Sequence, residues 1–135
     1  MYNSTSHRNI VLSICPNWAG ELDIYNPSVK AIELGVSILN KSKEDLKIDH
    51  ISLRIKKNSF LFYSYEDLPI NNFKQVISPD LKCDFIYDLK PVLALYGNHK
   101  KIHFRIVSGS LIIESKPVSI KEIHDDLISI YARHF

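Results

Sequence analysis

An apolar residue at every second position, over stretches too long to be accidental, is the feature that most constrains this chain. In "AIELGVSILN" Ile32, Leu34, Val36 and Ile38 share one side while Glu33, Gly35 and Ser37 take the other. "KIDHISLRIKK" repeats the pattern, with Ile51, Leu53 and Ile55 on one side and His50, Ser52, Arg54 and Lys56 on the other. A period of two is the signature of a half-buried strand, and a helix would scatter these residues around its circumference. The two stretches are near neighbours in sequence and are expected to pair antiparallel. A third, "KKIHFRIVSGSLIIES", alternates, pauses at Ser108-Gly109 and resumes. A two-residue turn there would pair Ile106 with Leu111, Arg105 with Ile112, Phe104 with Ile113 and His103 with Glu114, apolar meeting apolar on one face.

Shorter pieces fill in the rest. "IVLSI" reads as a first strand stopped by "CPNWAGE", where Trp18 would lid one end of a core. "ELDIYNPS" gives a second extended piece, "NSFLFYSYEDLPINNF" an aromatic strand and a loop, and "FKQVISPDLKCDFIYDL" two short apolar pieces about Ser78-Pro79. The period changes in "DLKPVLALYGN": Asp88 as a cap, Pro91 in a first turn and Gly97 at the C-terminal end predict one short helix near 88–96. Near the end Ile123, Leu127, Ile130 and Tyr131 recur every three or four residues, and Ser119 with Glu122 fits a capping box. An amphipathic helix near 121–133 is expected. Residues 1–9, polar throughout, are expected to be flexible.

A length of 135 residues suits a single domain, here 1–135, and an apolar content of 45% with 24% charged residues is ordinary for a globular chain. A domain of that size can be stable without disulfides or metal. "IVLSIC" is too short for a signal-peptide core, and the longest apolar runs fall well short of the roughly 20 residues that cross a bilayer. A cytoplasmic, reduced protein is the expectation, with Cys15 and Cys83 as buried thiols and the sequons at Asn3 and Asn40 as chance matches. The abundance of Ile, Lys, Asn and Ser points to an AT-rich bacterial or phage genome.

About seven short strands with polar turns and no βαβ alternation predict a mainly β, antiparallel sandwich. "ELGVSILNKSKEDLKIDHISLRI" resembles the central strands of immunoglobulin-like accessory domains, where an alternating strand ends in an Asn-x-Ser turn, and "SGSLIIESKPVSI" is similar to their final hairpin. The resemblance covers perhaps two-thirds of the chain and implies an immunoglobulin-like β-sandwich. The disulfide of antibody domains does not carry over, because Trp18 follows Cys15 by three residues where that family has about a dozen.

The chemistry-bearing residues do not assemble into a catalytic motif. His99 and His103 would lie roughly 13 Å apart along a strand, too far to share one ion, and Glu122, Asp125 and Asp126 fit the start of a helix. Neither cysteine has a nucleophile signature, there is no nucleophile elbow, and the glycines do not build a phosphate loop. No cofactor, metal or catalytic residue is therefore assigned. A non-enzymatic module that binds a protein partner, with self-association also open, is the favoured reading; Tyr63, Tyr65, Ile123, Leu127 and Tyr131 are its candidate contacts. The alternative is nucleic-acid binding through a basic strand face of Arg54, Lys56, Lys101, His103 and Arg105. It is weakened by a net charge of +2 and by alternation, which sets Phe104 and Arg105 on opposite faces. A small hydrolase using Cys15 or a histidine is the third.

Overall fold

Alternation of this kind leaves each sheet with one apolar face, and the fold is the result of pressing two such faces together. The computed structural model describes residues 3–18, 32–58, 63–70 and 75–132. In chain order these form β1 (Asn3–His7), β2 (Ile10–Trp18), β3 (Ile32–Asn40), β4 (Leu46–Ile48), β5 (His50–Asn58), β6 (Tyr63–Pro69), β7 (Gln75–Ile77), β8 (Lys82–Asp88), α1 (Lys90–Tyr96), β9 (Lys101–Ser108), β10 (Leu111–Glu114), β11 (Val118–Ser119) and α2 (Ile120–Ala132). One sheet has the order β1-β2-β3-β8 and the other β10-β9-β5-β6, with β11 also on β9 and a small β4-β7 ribbon beside them. Every pairing is antiparallel.

Leu12, Ile14, Leu34, Val36 and Ile38 from the first sheet meet Ile51, Leu53, Ile55, Ile102 and Ile106 from the second in one buried cluster. Phe104 of β9 sits at the seam. Its ring stands edge-on to Phe85 at 6.2 Å and to Tyr87 at 5.6 Å, both from β8 of the opposite sheet. Such edge-to-face pairs add to the area term that drives the burial.

The polar residue Asn40 is fully buried where β3 ends. Its Nδ2 donates to the carbonyls of Glu44 and Ile77, each at 2.8 Å, and its Oδ1 accepts from the Ser42 backbone amide and hydroxyl. Its backbone N–H donates to Leu81 O, and its carbonyl accepts from Asp80 N–H. One side chain therefore ties the end of β3 to the turn leading into β4 and to β7, and the Asn-x-Ser sequence here is a structural turn whose amide nitrogen is buried.

Several expectations need correction. The described residues form eleven strand segments rather than about seven. β3 and β5 do not pair: they lie in different sheets, because the segment from Lys41 to Asp49 contains β4 and crosses from one layer to the other. Residues Asn3–His7 are a strand rather than a flexible tail, paired with β2 through a two-residue turn in which Arg8 and Asn9 both have positive φ (49° and 65°), as a tight hairpin requires. β2 continues through Pro16 to Trp18, paired with β3 over its whole length. The turn of the last hairpin is Gly109-Ser110, so Ile106 faces Ile113 and Arg105 faces Glu114. This slip of two positions keeps every face and changes every partner. It places the glycine, with φ 58°, first in the turn, where positive φ is wanted.

Other expectations hold. α1 runs Lys90–Tyr96 with its end marked by Gly97 at φ 74°, although its N-cap is Leu89 rather than Asp88, whose Oδ1 accepts from the Lys90 N–H. Ser119 and Glu122 bond each other's backbone N–H at 3.1 Å, the reciprocal pair of a capping box, and α2 follows. "ELDIYNPS" lies outside the described residues, as does the side chain of Trp18.

Replacing Asn40 with Asp should be more damaging than its size suggests, since a carboxylate would confront two carbonyl oxygens with no donor. The expected loss in urea unfolding is about 3 kcal/mol, the range for orphaning buried polar groups. A loss under about 1 kcal/mol, no more than one ordinary hydrogen bond, would mean that Asn40 does not organise this junction.

Candidate functional site

The outward face of the five-stranded sheet collects the basic residues that alternation placed there. Arg54 of β5 lies directly opposite His103 of β9, and Ser52 opposite Arg105. Sequence spacing does not reveal what the neighbouring strands contribute. β6 brings Asp67 opposite Arg54, and β10 brings Glu114 opposite Arg105. Arg54 Nε contacts Asp67 Oδ1 at 2.8 Å and its Nη1 reaches Glu114 Oε1 at 3.2 Å, while Arg105 Nε lies 3.5 Å from the same oxygen. Lys101 pairs with Glu122 of α2 at 3.3 Å. Lys56 follows Arg54 on the same face. The cations that looked like a grip for phosphates are thus interleaved with carboxylates, and little unbalanced charge remains to attract a polyanion.

Tyr65 of β6 joins this face, which modifies the expected separation of aromatic and cationic groups. The Arg54 guanidinium carbon lies 4.3 Å from its ring centroid, a cation–π distance. Phe104 does point away, into the core. Under these side chains His103 is only 4% exposed, its ring edge-on to Tyr65 at 5.5 Å and its Nε2 3.8 Å from Glu114 Oε2. Neither ring nitrogen has a hydrogen-bond partner. Burial pushes its pKa below the usual histidine value; Glu114 and Asp67 oppose that shift, and Arg54 and Arg105 reinforce it.

The proposed partner contacts are dispersed. Tyr65 is 42% exposed, but its ring is engaged by Arg54 and His103. Ile123 is fully buried and, with Ile120, roots the first turn of α2 in the chain's own core, so it presents no surface to a partner. The side chains of Tyr63, Leu127 and Tyr131 lie outside the described residues. Spacing arguments missed Ile86 on the outward face of the four-stranded sheet, 66% exposed. A signal was present: Cys83, Phe85 and Tyr87 take the inward phase of β8, so Ile86 is an apolar residue in the polar phase. It sits opposite Gly35, beside a cleft of about 410 Å³ that Cys15, Ser37 and Asp84 also line.

The two cysteines lie on opposite sides of the four-stranded sheet. Cys83 packs inward opposite Ile38, and burial, then the Asp84 charge, raises its pKa, which keeps the thiol protonated. Cys15 is exposed on the other side of the same sheet, so the two cannot bridge, and it is not buried as expected. Among the described residues neither thiol is bonded to a histidine, and no group of three or more His, Cys, Asp or Glu is placed to hold a metal. No helix among them is long and apolar enough to cross a membrane.

His103 should make stability fall on acidification. Its folded pKa lies below the unfolded value near 6.5, so the unfolded chain binds the proton more readily. The stability contributed by the neutral ring is complete above that value and is lost as pH falls towards the folded pKa. The melting temperature of His103→Gln should therefore decline less than that of the wild type between pH 7 and pH 5. Parallel declines would assign the acid sensitivity to other groups.

No family model matches the chain, and no curated protein does. Eleven chains of solved structures match it. An X-ray structure of a Northeast Structural Genomics Consortium target is 12% identical, with a TM-score of 0.52 over 83% of this chain and 86% of that one. A Bordetella pertussis protein described as ApaA is 11% identical over 81% of this chain and 87% of that one, at a TM-score of 0.46, too low to argue a shared fold. The first likeness is one of fold alone, a mainly β chain of antiparallel sheets.

Proposed function

We propose that the chain is a non-enzymatic, immunoglobulin-like accessory module that binds a protein partner. The observation that carries this reading is Ile86. A β-branched side chain two-thirds exposed on a sheet face, next to a glycine that leaves a depression, is the kind of apolar feature that burial against another protein relieves. Next to it Ser37 and Gly35 are small, which leaves Ile86 accessible, while the charged residues Lys82 and Asp84 along the same strand pair with each other at 3.5 Å. The opposite outer face, where Arg54 and Arg105 are held by Asp67 and Glu114, lends itself less to nucleic acid.

Two measurements test the reading. Isolation of the tagged chain from its host should yield a stoichiometric complex, and Ile86→Asp should abolish it while leaving the thermal unfolding midpoint within a few degrees, as for a surface change. A monomer with no associated protein, or a complex indifferent to Ile86→Asp, would count against it. Gel retardation at low salt should show no shift of single- or double-stranded probes. Binding that weakens steeply with salt would favour the nucleic-acid alternative.

A further inference from the structure

β8 closes one side of the four-stranded sheet, and among the described residues it has a neighbouring strand, β3, on one side only. The register fixes where its backbone groups point. Asn40 N–H donates to Leu81 O and Asn40 O accepts from Asp80 N–H, so the even-numbered residues of β3 turn their N–H and C=O groups towards β8. Opposite them stand Cys83, Phe85 and Tyr87; Lys82, Asp84, Ile86 and Asp88 therefore direct their N–H and C=O groups away from the sheet. Such a row of donors and acceptors is a template for another strand unless the edge is short, bulged or broken by proline. β8 is a regular strand of seven residues without proline, and it carries Phe85, Ile86 and Tyr87. The other edge of the same sheet, β1, has five residues, all polar.

The side chains of β8 select a second copy of the same strand. Two copies of one edge meet antiparallel about a twofold axis, and the direction of the backbone groups admits only registers that set even-numbered residues against even-numbered ones. An axis through Asp84 puts that carboxylate against its own copy, and an axis through Ile86 puts Asp84 against Asp88; like charges directly opposite are repulsive. An axis through Phe85 instead sets Lys82 opposite Asp88 of the second copy at both ends, with Asp84 opposite Ile86 between them. It is also the register that pairs the strand over its whole length. Asp88 stands beside Glu33 of β3, and among the described residues neither acid has a cation within ion-pair distance. Lys82 has only its own Asp84 at 3.5 Å, both side chains more than half exposed. On the inner side Phe85 would meet its own copy, and Cys83 would meet Tyr87, extending a half-buried apolar row that already packs on the core.

We infer that the chain forms a twofold-symmetric homodimer in which two β8 edges pair antiparallel about Phe85, joining the four-stranded sheets of both copies into one. The backbone ladder supplies the attachment, and the two Lys82–Asp88 contacts fix the register. The inference goes beyond the partner-binding reading and does not rest on it: the dimer uses the edge of β8, and the outer face that bears Ile86 stays open in both copies.

The test is sedimentation equilibrium of the pure chain over a wide range of concentration, with Lys82→Asp and Asp88→Lys studied singly and mixed. The wild type should show a reversible monomer–dimer equilibrium. Each variant alone should dimerise about tenfold more weakly, because both symmetry-related cross-strand contacts turn repulsive. An equimolar mixture of the two should regain the wild-type affinity as a heterodimer, since each contact then joins an acid to a lysine again. A folding defect in either variant is not repaired by mixing, so the mixture separates pairing from stability. Hydrogen exchange supplies an independent readout: the Asp84 and Ile86 amides should become protected only at concentrations where the dimer forms, while those of Phe85 and Tyr87, directed at β3, are protected throughout. A chain that stays monomeric, a dimer indifferent to both charge changes, a mixture no tighter than its components, or protection that appears on a different strand would overturn the proposal.

Discussion

The two-layer arrangement depends on a polar residue, because the chain must change sheets between its two most regular strands. Apolar alternation in β3 and β5 would be equally satisfied if they paired with each other, since the hydrophobic effect is non-directional. Asn40 removes that option. Its side chain donates to Glu44 O and Ile77 O and accepts from Ser42, holding the chain in a turn that leads into β4 and towards β7. A buried amide with its donors and acceptor satisfied specifies one path of the chain where apolar packing alone would allow several.

A similar division of labour governs the outer surfaces. On the five-stranded sheet, charges from four strands cancel: Glu114 of β10 serves Arg105 of β9 and Arg54 of β5, and Asp67 of β6 completes the set. Exposed pairs of this sort stabilise little individually. Their larger consequence is that a face carrying two arginines presents nearly balanced charge, under which His103 is buried with no hydrogen bond to either ring nitrogen. On the outer face of the four-stranded sheet Lys82 pairs with Asp84 at 3.5 Å, and Ile86 is left uncovered beside Gly35. The two outer faces differ in what they can desolvate, and that difference supports assigning a contact to the one that bears Ile86.

Much of this was legible in the residues. Inward and outward phases of β3, β5 and β9 followed from period two, α2 from its capping box, and α1 from Pro91 and Gly97. Even Ile86 was readable in principle, as an apolar residue out of phase with its strand. Partners were less legible. The last hairpin kept its faces but slipped by two positions, because Gly109 rather than Ser108 occupies the first turn position, and Glu114 consequently faces Arg105 instead of His103. The amphipathic stripe of α2 did not say where it would dock, and Ile123 proved to be core.

The sequence by itself determined the local periodicity, the capping and turn chemistry, and therefore a mainly β chain with two helices, since these depend on neighbours within a few residues. Only the tertiary structure decided which strands lie side by side, and with them the fate of every outward side chain: Arg54 neutralised by residues 13 and 60 positions away, and Ile86 set against a glycine. The physical reason is that side-chain phase is fixed by the backbone of one strand, whereas charge balance and concavity arise between strands whose order is set by a few turns and one buried asparagine.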